Sequence, residues 1–301
     1  MQKNSRRAYS LIELSIVILI ISTLVGLIAT GARLLPAHRL YSARALTRSG
    51  PVQTIPNLAF WVDASSEGAF LNQISSTEMS SNDAISSWTE PNYLTRARRT
   101  CLQATAADRP TYLPTALNGL PVARFSATAS TSMSLACTAD SGMNTENTIF
   151  VVFVWNASYS GGTSNFLVIG NNNPLTLNSV STAGDLNFYS YNGSNIDELH
   201  YTLKAGRAYL TTRWSNPATN SSILYVNGSN AASSTATLNS SSTTYTSLDT
   251  DTLITIGNYP GVARPFGGDI AEIIIYDRAL NNEERQSVEK YLAKKWQIKL
   301  N

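Results

Sequence analysis

Charged and chemically reactive side chains are scarce in this 301-residue chain. Only 14% of the residues are charged, and the formal net charge is +2. That balance argues against a polyanion-binding protein, which needs a marked basic excess. There are two histidines, His38 and His200. His38 lies in a linker region, so a Ser-His-Asp triad would have to use His200, and no nucleophile-elbow pattern accompanies it. Retaining glycan hydrolysis needs two carboxyl groups about 5 Å apart, which positions i and i+2 or i+4 of one strand face supply. No Glu-x-Asp-x-(x)-Glu run occurs. Asp269 and Glu272 have opposite parity and are expected on opposite faces of a strand. The chain therefore reads as a non-enzyme. It also has no EF-hand loop, no base-reading motif and no strict internal repeat.

What the chain does have begins at its start. A short basic leader with Lys3, Arg6 and Arg7 runs into an apolar stretch from Leu11 to Ala32. As a helix rising about 1.5 Å per residue, that stretch reaches roughly 33 Å. A bilayer core is about 30 Å thick, so the segment is long enough to span one. A signal peptide usually has a shorter apolar region of about 7–15 residues and a small-residue cleavage site, which is not evident here. A plain anchor explains everything except Glu13, the one charge in the run. An ionisable group there is kept when it has a partner, or it snorkels to the interface.

The run Ala8-Tyr9-Ser10-Leu11-Ile12-Glu13 resembles the N-terminal segment of type IV prepilins and of type II secretion pseudopilins. The resemblance implies cleavage between Ala8 and Tyr9 by a prepilin peptidase on the cytoplasmic face, followed by N-methylation of Tyr9. Ala8 stands where that family usually has Gly, and Tyr9 where it usually has Phe. The resemblance further implies that Glu13 pairs with the N-terminal amine of a neighbouring pilin or pseudopilin subunit. Such a pairing would set axial register, a well-attested use of a buried charge.

Residues 1–8 are thus expected as leader and 9–35 as a transmembrane and assembly helix. Residues 36–56 are expected as a basic helix extension or linker. Arg33, Arg39, Arg44 and Arg48 follow the span, so positive residues flank it on both sides and their count leaves the topology open. The prepilin pattern places the N-terminus in the cytoplasm, the span in a bacterial inner membrane, and the bulk of the chain in the periplasm or on a surface filament. The Arg-rich stretch reads as solvated helix and linker, with contact to lipid head groups or DNA phosphates as the sharper alternative. No sequence-specific nucleic-acid partner is expected. Pro36 is expected to bend or interrupt a helix continuing past the span.

From residue 57 to 301 the composition shifts to Ser, Thr, Asn and aromatic residues. Short β-type runs recur at 58–62, 122–125, 133–136, 148–155, 166–169, 186–191, 208–214, 223–226, 253–257 and 269–276. Gly/Asn/Ser turns separate them, and Asn227-Gly228 is a strong hairpin signal. This spacing predicts a β-sandwich, with long loops over 64–120 and a loose hairpin or loop over 231–247. The chain ends in a predicted helix with Asn281 as N-cap and Glu284 three residues on. Val288, Tyr291, Leu292, Lys295 and Trp296 share one face of it, which packs on the sandwich or lies on a membrane surface.

Residues 266–280 with Glu283-Glu284-Arg285 and 288–292, the opening run 58–64, and 118–125 resemble bacterial LamG-like domains of the concanavalin A-like jelly-roll type. The fold class is therefore expected to be mainly β: a pilin-type α-helix, then a jelly roll with a C-terminal helix. Relatives of that fold include calcium binders and glucanases. Asp63, Asp185, Asp249 and Asp251 leave Ca2+ open as a cofactor, although no calcium loop joins them and turn capping accounts for them equally. Cys101 and Cys137 permit a disulfide in an exported chain. Loop aromatics at Trp88, Tyr93, Tyr159 and Tyr245 would stack on sugars where exposed. The functional expectation is a minor pilin or pseudopilin displaying a binding domain for a glycan or surface protein. The alternative is a membrane-anchored carbohydrate-active enzyme or secretion-system component.

Overall fold

The computed structural model describes residues 10–72, 79–91, 98–127, 133–138, 146–157, 162–170, 175–191, 195–219, 221–234, 253–259 and 264–301. One long helix, α1 (Leu11–Ser49), opens the chain. Ser10 caps it, and the helix ends at Gly50-Pro51, where Pro cannot continue it. Pro36 lies inside α1, and the helix runs past it. A proline removes a single helical N–H at a cost of about 3 kcal/mol, and the long turns on either side keep the rest in place. Within α1, Leu11–Ile28 has a mean hydropathy of 2.7, and none of it is buried. Further along, Ala43 and Thr47 are buried against the rest of the molecule.

The strands follow in chain order. They are β1 (Leu58–Asp63), β2 (Phe70–Leu71), β3 (Ser87–Thr89), β4 (Thr100–Leu102), β5 (Thr111–Leu117) and β6 (Leu120–Phe125). Next come β7 (Leu135–Thr138), β8 (Asn147–Ala157), β9 (Ser164–Ile169), β10 (Leu175–Val180), β11 (Asp185–Tyr191) and β12 (Asn195–Thr202). The last are β13 (Ala208–Asn216), β14 (Ser221–Val226), β15 (Ser229–Ser234), β16 (Leu253–Ile256) and β17 (Gly267–Tyr276), followed by helix α2 (Asn282–Trp296).

They form two antiparallel sheets. One has the order β15-β14-β13-β8-β17-β6-β5, with β1 also paired to β17; the other has the order β12-β11-β10-β9-β16-β7-β4-β3-β2. Aromatic rings fill the space between them. Phe153 stacks on Phe166 at 4.8 Å, and Phe166 meets Phe266 at 5.6 Å and Phe188 at 6.0 Å. The opposite face of the first sheet carries the helices, so every residue of β17 is buried. Thr212 Oγ1 donates to Glu289 Oε1 of α2, and Trp214 Nε1 to the Leu280 carbonyl just before it.

The expected β-sandwich and terminal helices are present. Asn281 Oδ1 accepts the Glu284 N–H (2.9 Å), and Glu284 accepts the Asn281 N–H (3.0 Å). The whole α2 stripe is buried in the domain, Lys295 included. Asn227 and Gly228 both take positive φ, 50° and 80°, as a two-residue hairpin turn requires. Residues 64–120 differ from the expected long loops, because they hold β2 to β5. Strand β5 is half exposed and carries Pro and Thr where an alternating pattern would need apolar residues, so its periodicity is weak.

Candidate functional site

Ala8 and Tyr9 lie outside the described residues. Just after them, Ser10 Oγ accepts the Ile12 N–H (3.3 Å), and Glu13 Oε2 accepts the Ser10 N–H (2.9 Å). Ser10-Leu11-Ile12-Glu13 is thus a capping box, a signal legible in the S-x-x-E spacing that the reading of Glu13 as an assembly residue passed over. The box engages one carboxylate oxygen through the chain's own N-cap. Among the described residues, the side chains of Leu11, Ile12 and Leu27 are exposed on this part of α1.

The far end of α1 is held firmly. Arg39 Nη1 donates to the Asn118 carbonyl (3.0 Å) and Arg44 Nε to the Ser65 carbonyl (2.9 Å). The basic stretch therefore docks helix to domain as well as facing solvent. Arg48 makes an exposed pairing with Glu67 at 3.6 Å.

Beneath this junction is a closed polar cluster. Asp63 and Glu272 are cross-strand partners in β1 and β17. Lys295 Nζ lies 2.7 Å from Asp63 Oδ2 and 2.7 Å from Glu272 Oε2, and all three side chains are fully buried. Asp63 Oδ1 accepts from the Ser65 N–H (2.8 Å) and Oγ (2.7 Å), and Oδ2 from Ser66 Oγ (2.9 Å) and Thr47 Oγ1 (3.1 Å). Glu272 Oε1 accepts from Trp61 Nε1 (2.8 Å) and Tyr291 OH (2.9 Å), and Oε2 from Trp296 Nε1 (2.7 Å). Burial pushes the Asp63 carboxyl up, but the Lys295 ammonium and the Ser65 donors outweigh it and hold Asp63 below the usual range. Burial, with the Asp63 charge beside it, raises Glu272 despite Lys295 and Trp296.

Several expectations change here. Asp63 is fully engaged inside this cluster and is not open to a cation. Asp185 binds Thr202 Oγ1 (3.1 Å) and Ser181 Oγ (3.3 Å), which is turn capping. Asp249 and Asp251 lie outside the described residues, and among those described no three His, Cys, Asp or Glu side chains form a metal-type group. The parity expectation for Asp269 and Glu272 fails. The register slips between Ile270 and Glu272, so Asp269 lies opposite Val154 and Glu272 opposite Val152, on one face. Asp269 is held by Arg124 through two contacts of 2.6 and 2.8 Å. His200 is exposed on β12, opposite Asn187.

Cys101 and Cys137 are joined in a disulfide that links β4 to β7. Trp88 is buried and offers no face to a ligand. Tyr93, Tyr159 and Tyr245 lie outside the described residues. An open cleft of about 480 Å³ sits where the turn between β12 and β13 meets the residues after α2. Tyr201, Lys204, Arg207, Tyr209, Gln297 and Lys299 line it, and among the described residues no Asp or Glu does. A second cleft of about 390 Å³ lies against α1, lined by Leu40, Arg44, Glu67, Phe70, Met79 and Tyr112.

Residues 130–284 match a family model, Laminin_G_3, described as the concanavalin A-like lectin/glucanases superfamily. No curated protein matches the chain. Among solved structures, the Ruminococcus gnavus IT-sialidase CBM40 is 16% identical, with 49% of this chain and 84% of that one covered, at a TM-score of 0.39. Domain 4 of AbnA, a GH43 extracellular arabinanase from Geobacillus stearothermophilus in complex with arabinotriose, is 13% identical over 60% of this chain and 80% of that one, at 0.41. The NanB sialidase from Streptococcus pneumoniae is 18% identical over 47% of this chain and only 23% of its own, at 0.37.

Proposed function

This chain belongs to the concanavalin A-like lectin/glucanases superfamily, and from that premise we propose that it is a minor type IV pilin or pseudopilin that displays a glycan-binding jelly roll. The observation that carries the reading is the contrast along α1. Leu11–Ile28 has no buried side chain, whereas the same helix farther on is clamped into the domain by Arg39, Arg44 and Thr47. An apolar helix exposed on all sides needs lipid or neighbouring helices around it. A helix that continues without a break into the domain is a stem and not a tether. The prepilin-like pattern at Ala8, Tyr9 and Glu13 supports processing by a prepilin peptidase, insertion in an inner membrane and packing among other pilin subunits. Once assembled, the Glu13 carboxylate faces a neighbour's N-terminal amine as well as its own N-cap. Glu13→Val is expected to insert in the membrane as before but to drop out of filaments, read by cross-linking to co-assembling subunits. Co-assembly equal to the parent would contradict the reading.

The seat of the ligand is the cleft of Tyr201, Lys204, Arg207 and Lys299. The half-buried Tyr201 ring suits a sugar face, and the exposed Lys204, Arg207 and Lys299 favour an acidic glycan. A glycan array with the detergent-solubilised full chain is expected to show binding without turnover, and released sugar would contradict it. An exposed charge contributes about 0.5–1 kcal/mol. Lys204→Ala with Arg207→Ala should therefore weaken acidic-glycan binding roughly tenfold.

A further inference from the structure

The cluster at Lys295 carries more chemistry than a clamp needs. Two carboxylates and one ammonium are shut away from water, each carboxyl 2.7 Å from the same nitrogen. Left fully ionised, the group would hold a surplus negative charge in a dry interior, which is strongly unfavourable. A proton on Glu272 removes that surplus, and burial favours it there. Transfer of one proton from Lys295 Nζ to Asp63 Oδ2 across their 2.7 Å contact would neutralise the remaining pair. On one side it is Asp63 carboxylate with Lys295 ammonium, and on the other a neutral acid with a neutral amine. The second arrangement places a nucleophile against an electrophile in a fixed geometry, where effective molarities reach about 10⁵–10⁸ M. Trp61 and Trp296 are fully buried at the cluster and keep water from reversing the reaction.

We propose that Lys295 and Asp63 become joined by an amide bond that the folded chain forms by itself, with Glu272 relaying the protons. The Lys295 nitrogen lone pair attacks Asp63 Cγ, and the new C–N bond forms. The Oδ1 oxyanion that develops faces the Ser65 N–H and Oγ–H, already 2.8 and 2.7 Å away. Glu272 gives its proton to the departing Oδ2 hydroxyl and takes one from the nitrogen. The Cγ–Oδ2 bond breaks and one water leaves. Amine plus carboxylic acid becomes amide plus water, with no change of oxidation state and no co-reactant. Asp63 is the electrophile because its Oδ1 has two donors preset for an oxyanion, while burial and the neighbouring Asp63 charge favour the acid form of Glu272 despite its donors. The bond would tie the first strand of the domain to its last helix, directly under Thr47 of α1. A pull transmitted along α1 would then meet a closed covalent loop.

The test is the mass of the purified full chain, denatured and reduced, compared with the mass expected from its mapped N-terminus. The wild type should be lighter by one water molecule, and digestion should yield one branched peptide containing both Asp63 and Lys295. Asp63→Ala and Lys295→Arg should have the full expected mass. A wild-type chain at full mass overturns the proposal whether or not the variants fold. So does a water loss that survives Asp63→Ala. A folded Glu272→Gln that closes the bond as fully as wild type overturns the relay.

Discussion

Glu272 meets four donors, from Trp61, Tyr291, Trp296 and Lys295, and still retains its proton above the usual range because burial and Asp63 disfavour its charge. A carboxyl raised on folding binds a proton that the unfolded chain has already lost. Its contribution therefore falls as pH rises from the unfolded value of about 4.3 through the folded one. Glu272→Gln cannot ionise, so its melting temperature between pH 4 and 8 should decline less steeply than the parent's. Equal slopes would contradict the assignment. Some residues of this kind are legible in sequence and some are not. Asn281 and Glu284 announce their cap through local spacing, and the structure has both bonds. Asp269 and Glu272 mislead, because a bulge one residue long reverses parity and leaves no local mark. Lys295 sits in an apolar stripe as if by accident. Its burial becomes intelligible only with Asp63 and Glu272, which are distant in sequence.

The elements divide along the same line. Strands dense in Val, Ile and Phe, such as β8 and β17, stand out as apolar runs, and the turn at Asn227-Gly228 marks its hairpin. Strands β5, β10 and β15 are rich in Ser, Thr, Asn or Pro, and β12 mixes charged and polar residues with Ile, Leu and Tyr. Their identity comes from pairing with neighbours, a tertiary effect that a propensity scale does not carry. The disulfide belongs to this scale too. It joins β4 and β7, which meet edge to edge through Leu102 and Ala136. With its cysteines 36 positions apart in sequence, it should contribute about 3–4 kcal/mol by constraining the unfolded chain. Reduction is expected to lower the denaturant midpoint accordingly, measured by chemical unfolding with and without reductant. An unchanged midpoint would contradict that contribution.

As a whole the molecule is a helix with two environments. Its first half offers apolar side chains to whatever surrounds it, and its second half is part of the domain's wall. Length and hydropathy make the first half legible at once. The docking of the second half through Arg39, Arg44 and Thr47 is not legible, because arginines after an apolar run look like solvated linker. The candidate cleft was equally hidden, since it is assembled from a turn and a chain end far apart in sequence. The account rests on the claim that the exposed half is a processed pilin-type stem, and the N-terminus of the protein recovered from its native membrane tests this most directly. Mass analysis should find a chain beginning at an N-methylated Tyr9. A chain that still carries Met1, or one cut beyond Ala32, would contradict the account.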